Sequence, residues 1–134
     1  MGALHAGHVS LVNQSLESCA RTVVSIYVNP EQFGPDEDLQ SYPRNIEEDL
    51  EILRKLKVDA VFLPSDEMMY PDGFSTYIHE TSISKTLEGV SRPQFFCGVL
   101  TIVLKLFNIL HPSKAFFGTK DYQQLVLVEK MVRE

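Results

Sequence analysis

The sequence predicts a parallel α/β sheet, on three observations. Runs rich in β-branched and apolar residues stand at 22–28 (TVVSIYV) and 59–63 (DAVFL), each with few polar interruptions, as expected of strands covered on both faces. Stretches with the 3.6-residue period of amphipathic helices lie between and after them. The order strand, helix, strand, helix places neighbouring strands parallel, with right-handed crossovers and ligands beyond the strands' C-terminal ends. At 134 residues the chain fits one domain, 1–134. A chain of this length buries roughly 65–70% of its unfolded surface, so it needs no staples to hold a core.

Each element has its own signal. Leu11, Ser15, Leu16 and Cys19 share one face of a first helix over 8–20. The strand 22–28 follows. Residues 29–43 hold three prolines and a glycine among acids and read as a loop. Asn45 is placed to cap a second helix with Glu48 three residues on, and Ile46, Leu50, Leu53 and Leu56 form its apolar stripe. Strand 59–63 ends at Pro64; 68–74 is irregular and 75–80 reads as a short strand. The apolar stretch 95–110, with Val99, Ile102, Val103, Leu106, Ile109 and Leu110 as its stripe, is a long buried helix that stops before Pro112. Residues 114–117 (KAFF) read as a third strand. Gly118 turns the chain, and Asp121 opens a last helix with Leu125, Val128 and Val132 on one face.

Charge and composition exclude several classes. Twelve basic against eighteen acidic residues give −6, a poor balance for general nucleic-acid binding, which rests on phosphate neutralisation. The acidity concentrates in 31–51, with eight acids against Arg44 alone, whereas 101–134 is net basic. An anionic ligand therefore belongs away from 31–51, unless a cation or local dipoles intervene. The stretch 95–110 is too short for a membrane span and is broken by Lys105 and Asn108. With no signal peptide visible and two isolated cysteines, Cys19 and Cys97, the expectation is a cytoplasmic domain with free thiols.

Four motifs could carry chemistry. In His5-Ala6-Gly7-His8, two histidines three apart share one face of a helix start, with Gly7 letting a ligand approach the backbone. A helix N-terminus favours phosphate, and two imidazole donors could stabilise a phosphoryl transition state. A surface histidine pair is the bland alternative. A metal site is disfavoured because no cysteine or third histidine lies nearby. Gly118 to Gln124 (GTKDYQQ) likewise follows a strand and opens a helix. Lys120 there can neutralise a phosphate, whereas Asp121 and Gln124 have the spacing of a helix cap and its partner. Asn29-Pro30-Glu31-Gln32-Phe33-Gly34 stands at a strand end, as a turn or as a ligand-facing segment. Arg92-Pro93 precedes the long helix, as an anion clamp or a solvated arginine. Three of the four sit at strand ends and could converge on one rim.

MGALHAGH, VVSIYVNPEQFGPDEDLQSYPR, LEGVSRP and KLFNILHPSKAFFGTKDYQQL together resemble the pantoate–β-alanine ligase family of the HIGH-motif nucleotidyltransferase superfamily. The resemblance runs nearly end to end. It implies a Rossmann-like N-terminal nucleotide- and pantoate-binding domain, with the family's small C-terminal lid domain outside this chain. It also implies a homodimer. The implied reaction takes ATP with Mg²⁺ and pantoate to pantoyl adenylate and pyrophosphate, after which β-alanine attacks to give pantothenate and AMP. Met1, Gly2, His5, His8, Gly118, Lys120 and Asp121 match ATP-binding positions, with His5, His8 and Lys120 catalytic. Gln32, Gln124 and Asn29 match pantoate-binding positions, and Tyr42 and Arg92 lie near the pantoate and β-alanine ends. No residue is implied as a metal ligand. Where the family usually has Gly-His-Phe-Arg after Arg92-Pro93, this chain has Gln94, Phe95, Phe96 and Cys97. Because the first motif ordinarily follows a strand, the chain is expected to be a piece of a longer protein, self-associating and at most weakly active alone. Another HIGH-type nucleotidyltransferase and a non-catalytic binding domain are the competing readings.

Overall fold

The computed structural model describes residues 1–34 and 45–134; Tyr42 and most of the acidic loop lie outside them. Two strands, β1 (Val23–Ser25) and β2 (Ala60–Phe62), pair in parallel with Val24 opposite Val61. Backbone bonds from Ile26 N to Phe62 O (3.0 Å) and from Asp59 N to Thr22 O (3.0 Å) extend the ladder at both ends. On the other edge of β1, Met1 N donates to Ser25 O at 3.0 Å and Met1 O accepts from Tyr27 N at 3.1 Å. This is the slanted pattern of a parallel bridge, so Met1 is fixed beside the C-terminal end of β1.

Strand alternation separates two cores. Val24 and Ile26 meet Val12 of α1 (Ala6–Ser18) and Leu53 of α2 (Ile46–Leu56). Tyr27 and Phe62 meet the other cluster, built by Phe96, Val99, Leu100, Ile102 and Val103 on one long helix (Phe95–Leu110) and Leu127 and Val128 on the C-terminal helix (Tyr122–Arg133). Helices thus cover both faces, as the apolar strands require. Two one-turn helices intervene: α3 (Asp66–Met69), where Ser65 Oγ accepts from Met68 N at 3.3 Å, and α4 (Glu88–Ser91). The long helix is α5 and the last α6.

Several expectations are corrected. Residues 75–80 form no strand; Ile78 N donates instead to the Thr101 hydroxyl of α5 at 3.0 Å. Residues 114–117 are likewise without a ladder among the described residues, and Phe117 packs edge-on against Phe107 of α5. A β-prone run becomes a strand only beside another strand, and KAFF has none there. α2 is capped as expected, Asn45 Oδ1 accepting from Glu48 N at 3.3 Å. Ile46, however, is 47% exposed, and the buried place on that face belongs to Asp49. α6 turns Leu127 and Val128 inward and leaves Val132 exposed, a rotation from the expected 125/128/132 face. Cys19 and Cys97 are free thiols. No described helix is long and apolar enough to cross a membrane.

Candidate functional site

α1 begins with a cap made by two histidines. His5, the N-cap, accepts the Gly7 N–H on Nδ1 at 3.1 Å, while His8 Nδ1 accepts the His5 N–H at 3.3 Å. The rings stand 4.0 Å apart between centroids. A nitrogen that accepts cannot carry the ring proton, so each neutral imidazole carries it on Nε2. The cap therefore converts both histidines into N–H donors at a helix N-terminus. Gly7 serves the cap directly: a Cβ there would stand 2.9 Å from His5 Cε1. Burial holds His8 below its ordinary 6.5, His5 and Lys120 adding to the effect and Asp49 opposing it. A neutral His8 donor near pH 7 follows, and Lys120 lies close enough for its charge to act on that ring.

The remaining ATP candidates stand around this start. Met1 is bonded to the end of β1, and its side chain packs on the core shared by α1 and α2. Gly2 lies over Ile26 and Val28. Gly118 is exposed, and a Cβ there would meet nothing within 4 Å, so packing does not demand the glycine. Lys120 and Asp121 are exposed on a 3₁₀ turn (Thr119–Asp121) leading into α6. Asp121 makes no side-chain cap bond, so the capping explanation for Asp121 and Gln124 fails. Among the described residues, the Gln124 side chain has no hydrogen bond, and Lys120 no ion pair.

The second group lies past β1. Asn29 is buried and its amide is engaged within the fold: Oδ1 accepts from Glu31 N (3.4 Å) and Tyr70 Oη (2.7 Å), and Nδ2 donates to Gly98 O (3.1 Å). Gln32 ends the 3₁₀ turn Pro30–Gln32 that Asn29 caps. Arg92 donates through Nη2 to Gln32 O at 3.0 Å, pairs with Glu88 at 3.0 Å, and stacks its guanidinium 3.9 Å from the Phe95 ring centre. Arg92 is thereby a brace for the Gln32 backbone. The structure thus joins His5, His8, Met1 and Lys120 in one group and Asn29, Gln32 and Arg92 in another. A hollow of about 410 Å³ is lined by Glu31, Tyr77, His79, Gln94 and Cys97; His5, His8 and Lys120 do not line it.

Sequence reading missed two residues. Gln123, beside Gln124, donates from Nε2 to Ile83 O (3.0 Å) and Thr86 O (2.7 Å) and accepts from Glu88 N at 3.2 Å, stitching the turn around Leu87. Asp49 was legible as an acid on the apolar stripe of α2, a place where leucine is expected. Among the described residues, no group of three or more His, Cys, Asp or Glu could hold a metal ion.

Against known proteins, the family model described as pantoate-beta-alanine ligase matches residues 1–134. The pantothenate synthetase of Thermosipho africanus is 54% identical over the whole chain, which covers 48% of that protein. That of Acetivibrio thermocellus is 53% identical with the same coverage. The chain therefore spans about half the length of these relatives. The crystal structure of a pantothenate synthetase from Thermus thermophilus superimposes with a TM-score of 0.96 at 47% identity, over 99% of this chain and 49% of that one. A pantoate-beta-alanine ligase from Francisella tularensis, complexed with beta-gamma ATP and beta-alanine, gives 0.95 at 45% identity, over 99% and 51%.

Proposed function

The chain belongs to the pantoate-beta-alanine ligase family, and from that premise we propose that it forms the nucleotide- and pantoate-binding part of an ATP-dependent ligase making pantothenate. The observation that carries this reading is the reciprocal cap of His5 and His8, which commits both Nδ1 atoms to backbone N–H groups and both Nε2 atoms to donation.

In the proposed first half-reaction the pantoate carboxylate attacks the α-phosphorus of ATP, forming the acyl phosphate bond as the bond to pyrophosphate breaks. The nucleophile is already an anion, so no general base is needed. The requirement is to neutralise charge and hold the reactants in line. His5 and His8 donate to phosphate oxygens, and Lys120 adds a positive charge beside them. Gly118 and Asp121 line the nucleotide, and Met1 and Gly2 floor it. Gln32 and Gln124 hold pantoate through its hydroxyl and carboxylate. In the second half-reaction the neutral amine of β-alanine attacks the acyl carbon, AMP leaves, and the amine proton passes to solvent. Asn29, Tyr42 and Arg92 belong to that end of the site, Asn29 and Arg92 by fixing Gln32.

Mg²⁺ is proposed to enter with the ATP phosphates, its common mode of binding. Asp49, whose carboxylate lies at the turn before α1, is already engaged by two N–H groups. A homodimer in the cytoplasm completes the proposal. The exposed Val23 on the sheet accords with a second copy as partner, and free cysteines accord with a reducing compartment.

The test is ATP–pyrophosphate exchange with and without pantoate. Exchange that requires pantoate is expected. Exchange with another acceptor but not pantoate would contradict the substrate assignment.

A further inference from the structure

We propose that Asp49 is a positioning residue for the nucleotide site, its carboxylate clamping the turn from which His5 and His8 are presented. Asp49 lies on α2, 3% exposed, on the face that also carries Leu53. Its Oδ2 accepts the Ala3 N–H at 2.8 Å and its Oδ1 accepts the Leu4 N–H at 2.7 Å, a two-point grip on consecutive peptide groups 45 and 46 residues away. Both distances are those of charge-assisted bonds.

Packing alone does not call for an acid here. The neighbours on this side of the sheet are Val12, Val24, Ile26, Leu53, Met1 and Leu4, and a buried carboxylate is tolerated only where its charge is met by donors. What the charge achieves is local. Ala3 has φ +50°, the left-handed region that residues with a Cβ rarely adopt. The clamp grips this residue and the next, and the residue after those is His5, the cap of α1. Met1, on the other side of the strained residue, is bonded to β1. Between these two anchors the chain has one path into the helix, and that path sets where the two Nε2 donors stand. A site that stabilises charge needs its donors fixed before the ligand arrives.

This inference rests on the nucleotide-binding reading, and its test keeps the two apart. Asp49→Asn in the 134-residue chain preserves size but offers one acceptor and one N–H₂, so one of the two N–H groups loses its partner and faces a donor. Leu53→Val, one turn along the same face, loosens the same core without touching the turn. ATP affinity by calorimetry is expected to fall about tenfold or more in Asp49→Asn, the scale of one lost bond to a charged group, and to stay near wild type in Leu53→Val. Independently of any ligand, the amide signals of Ala3 and Leu4 and the ring signals of His5 and His8 should shift in Asp49→Asn and hold still in Leu53→Val. A folded Asp49→Asn whose histidine signals do not move would overturn the proposal, as would Leu53→Val moving them equally. If the wild-type chain binds no ATP while Asp49→Asn still moves the rings, the positioning role stands and the nucleotide reading falls.

Discussion

Asn29 and Gly98 join the end of β1 to the start of α5: the Asn29 amide donates to the Gly98 carbonyl at 3.1 Å, and the backbone closes so tightly that a Cβ on Gly98 would stand 2.3 Å from Glu31 O and 3.1 Å from Gln32 N. The turn bearing Gln32 is therefore pressed against α5 by backbone, with Arg92 holding its far end. A glycine is needed there for approach, not for backbone angle.

Gly98→Ala tests that junction. The added methyl must push backbone, which costs about 1–3 kcal/mol in a packed core. A lower thermal midpoint with weaker pantoate binding is expected. An unchanged midpoint would show that the junction yields easily.

Gln123 and Gln124 should separate cleanly despite being neighbours. Gln123→Ala removes three hydrogen bonds that hold the 83–88 turn, and a loss of about 1–3 kcal/mol by denaturant titration is expected. Gln124→Ala removes no bond among the described residues. Its stability should stay within about 0.5 kcal/mol, while pantoate affinity by calorimetry falls about tenfold. The reverse pattern would return Gln124 to a capping role.

Much of the fold was legible because its signals are local. Asn45 and Glu48 announce the start of α2, and the apolar run 95–110 coincides with α5. What escaped reading depends on residues far away in sequence. The KAFF segment has strand chemistry but no neighbouring strand among the described residues. Asp49 stands out as an acid on an apolar stripe, but its role was hidden because its partners are the backbone N–H groups of Ala3 and Leu4, which leave no trace in side-chain pattern. The site divides the same way. His5-Ala6-Gly7-His8 was visible as a pair of donors at a helix start, yet the mutual cap that fixes their tautomers is a matter of geometry. For Asn29, whose place at a strand end is visible in sequence, the bonds of its amide to Glu31, Tyr70 and Gly98 are likewise a matter of geometry.

His8 carries a pH signature. Burial lowers its pKa from 6.5 in the folded chain, so the unfolded chain takes up the proton first as pH falls. Stability owed to this group is intact well above 6.5 and declines as pH drops through 6.5 toward the folded pKa, levelling out below it. An NMR titration should place the His8 midpoint below 6.5, and the decline in stability should be smaller in His8→Gln. A midpoint above 6.5 would contradict the described burial.

The most direct test of the account is calorimetric titration of ATP and of pantoate, separately, into the wild-type chain, His8→Ala and Gln32→Ala. The two ligands are assigned to separate groups of residues, so the variants should dissociate them. His8→Ala is expected to lose ATP affinity while keeping pantoate, and Gln32→Ala to lose pantoate while keeping ATP, with both variants folded. ATP binding to His8→Ala at wild-type strength, or both ligands lost together in either folded variant, would contradict the assignment of the His5–His8 cap to the nucleotide.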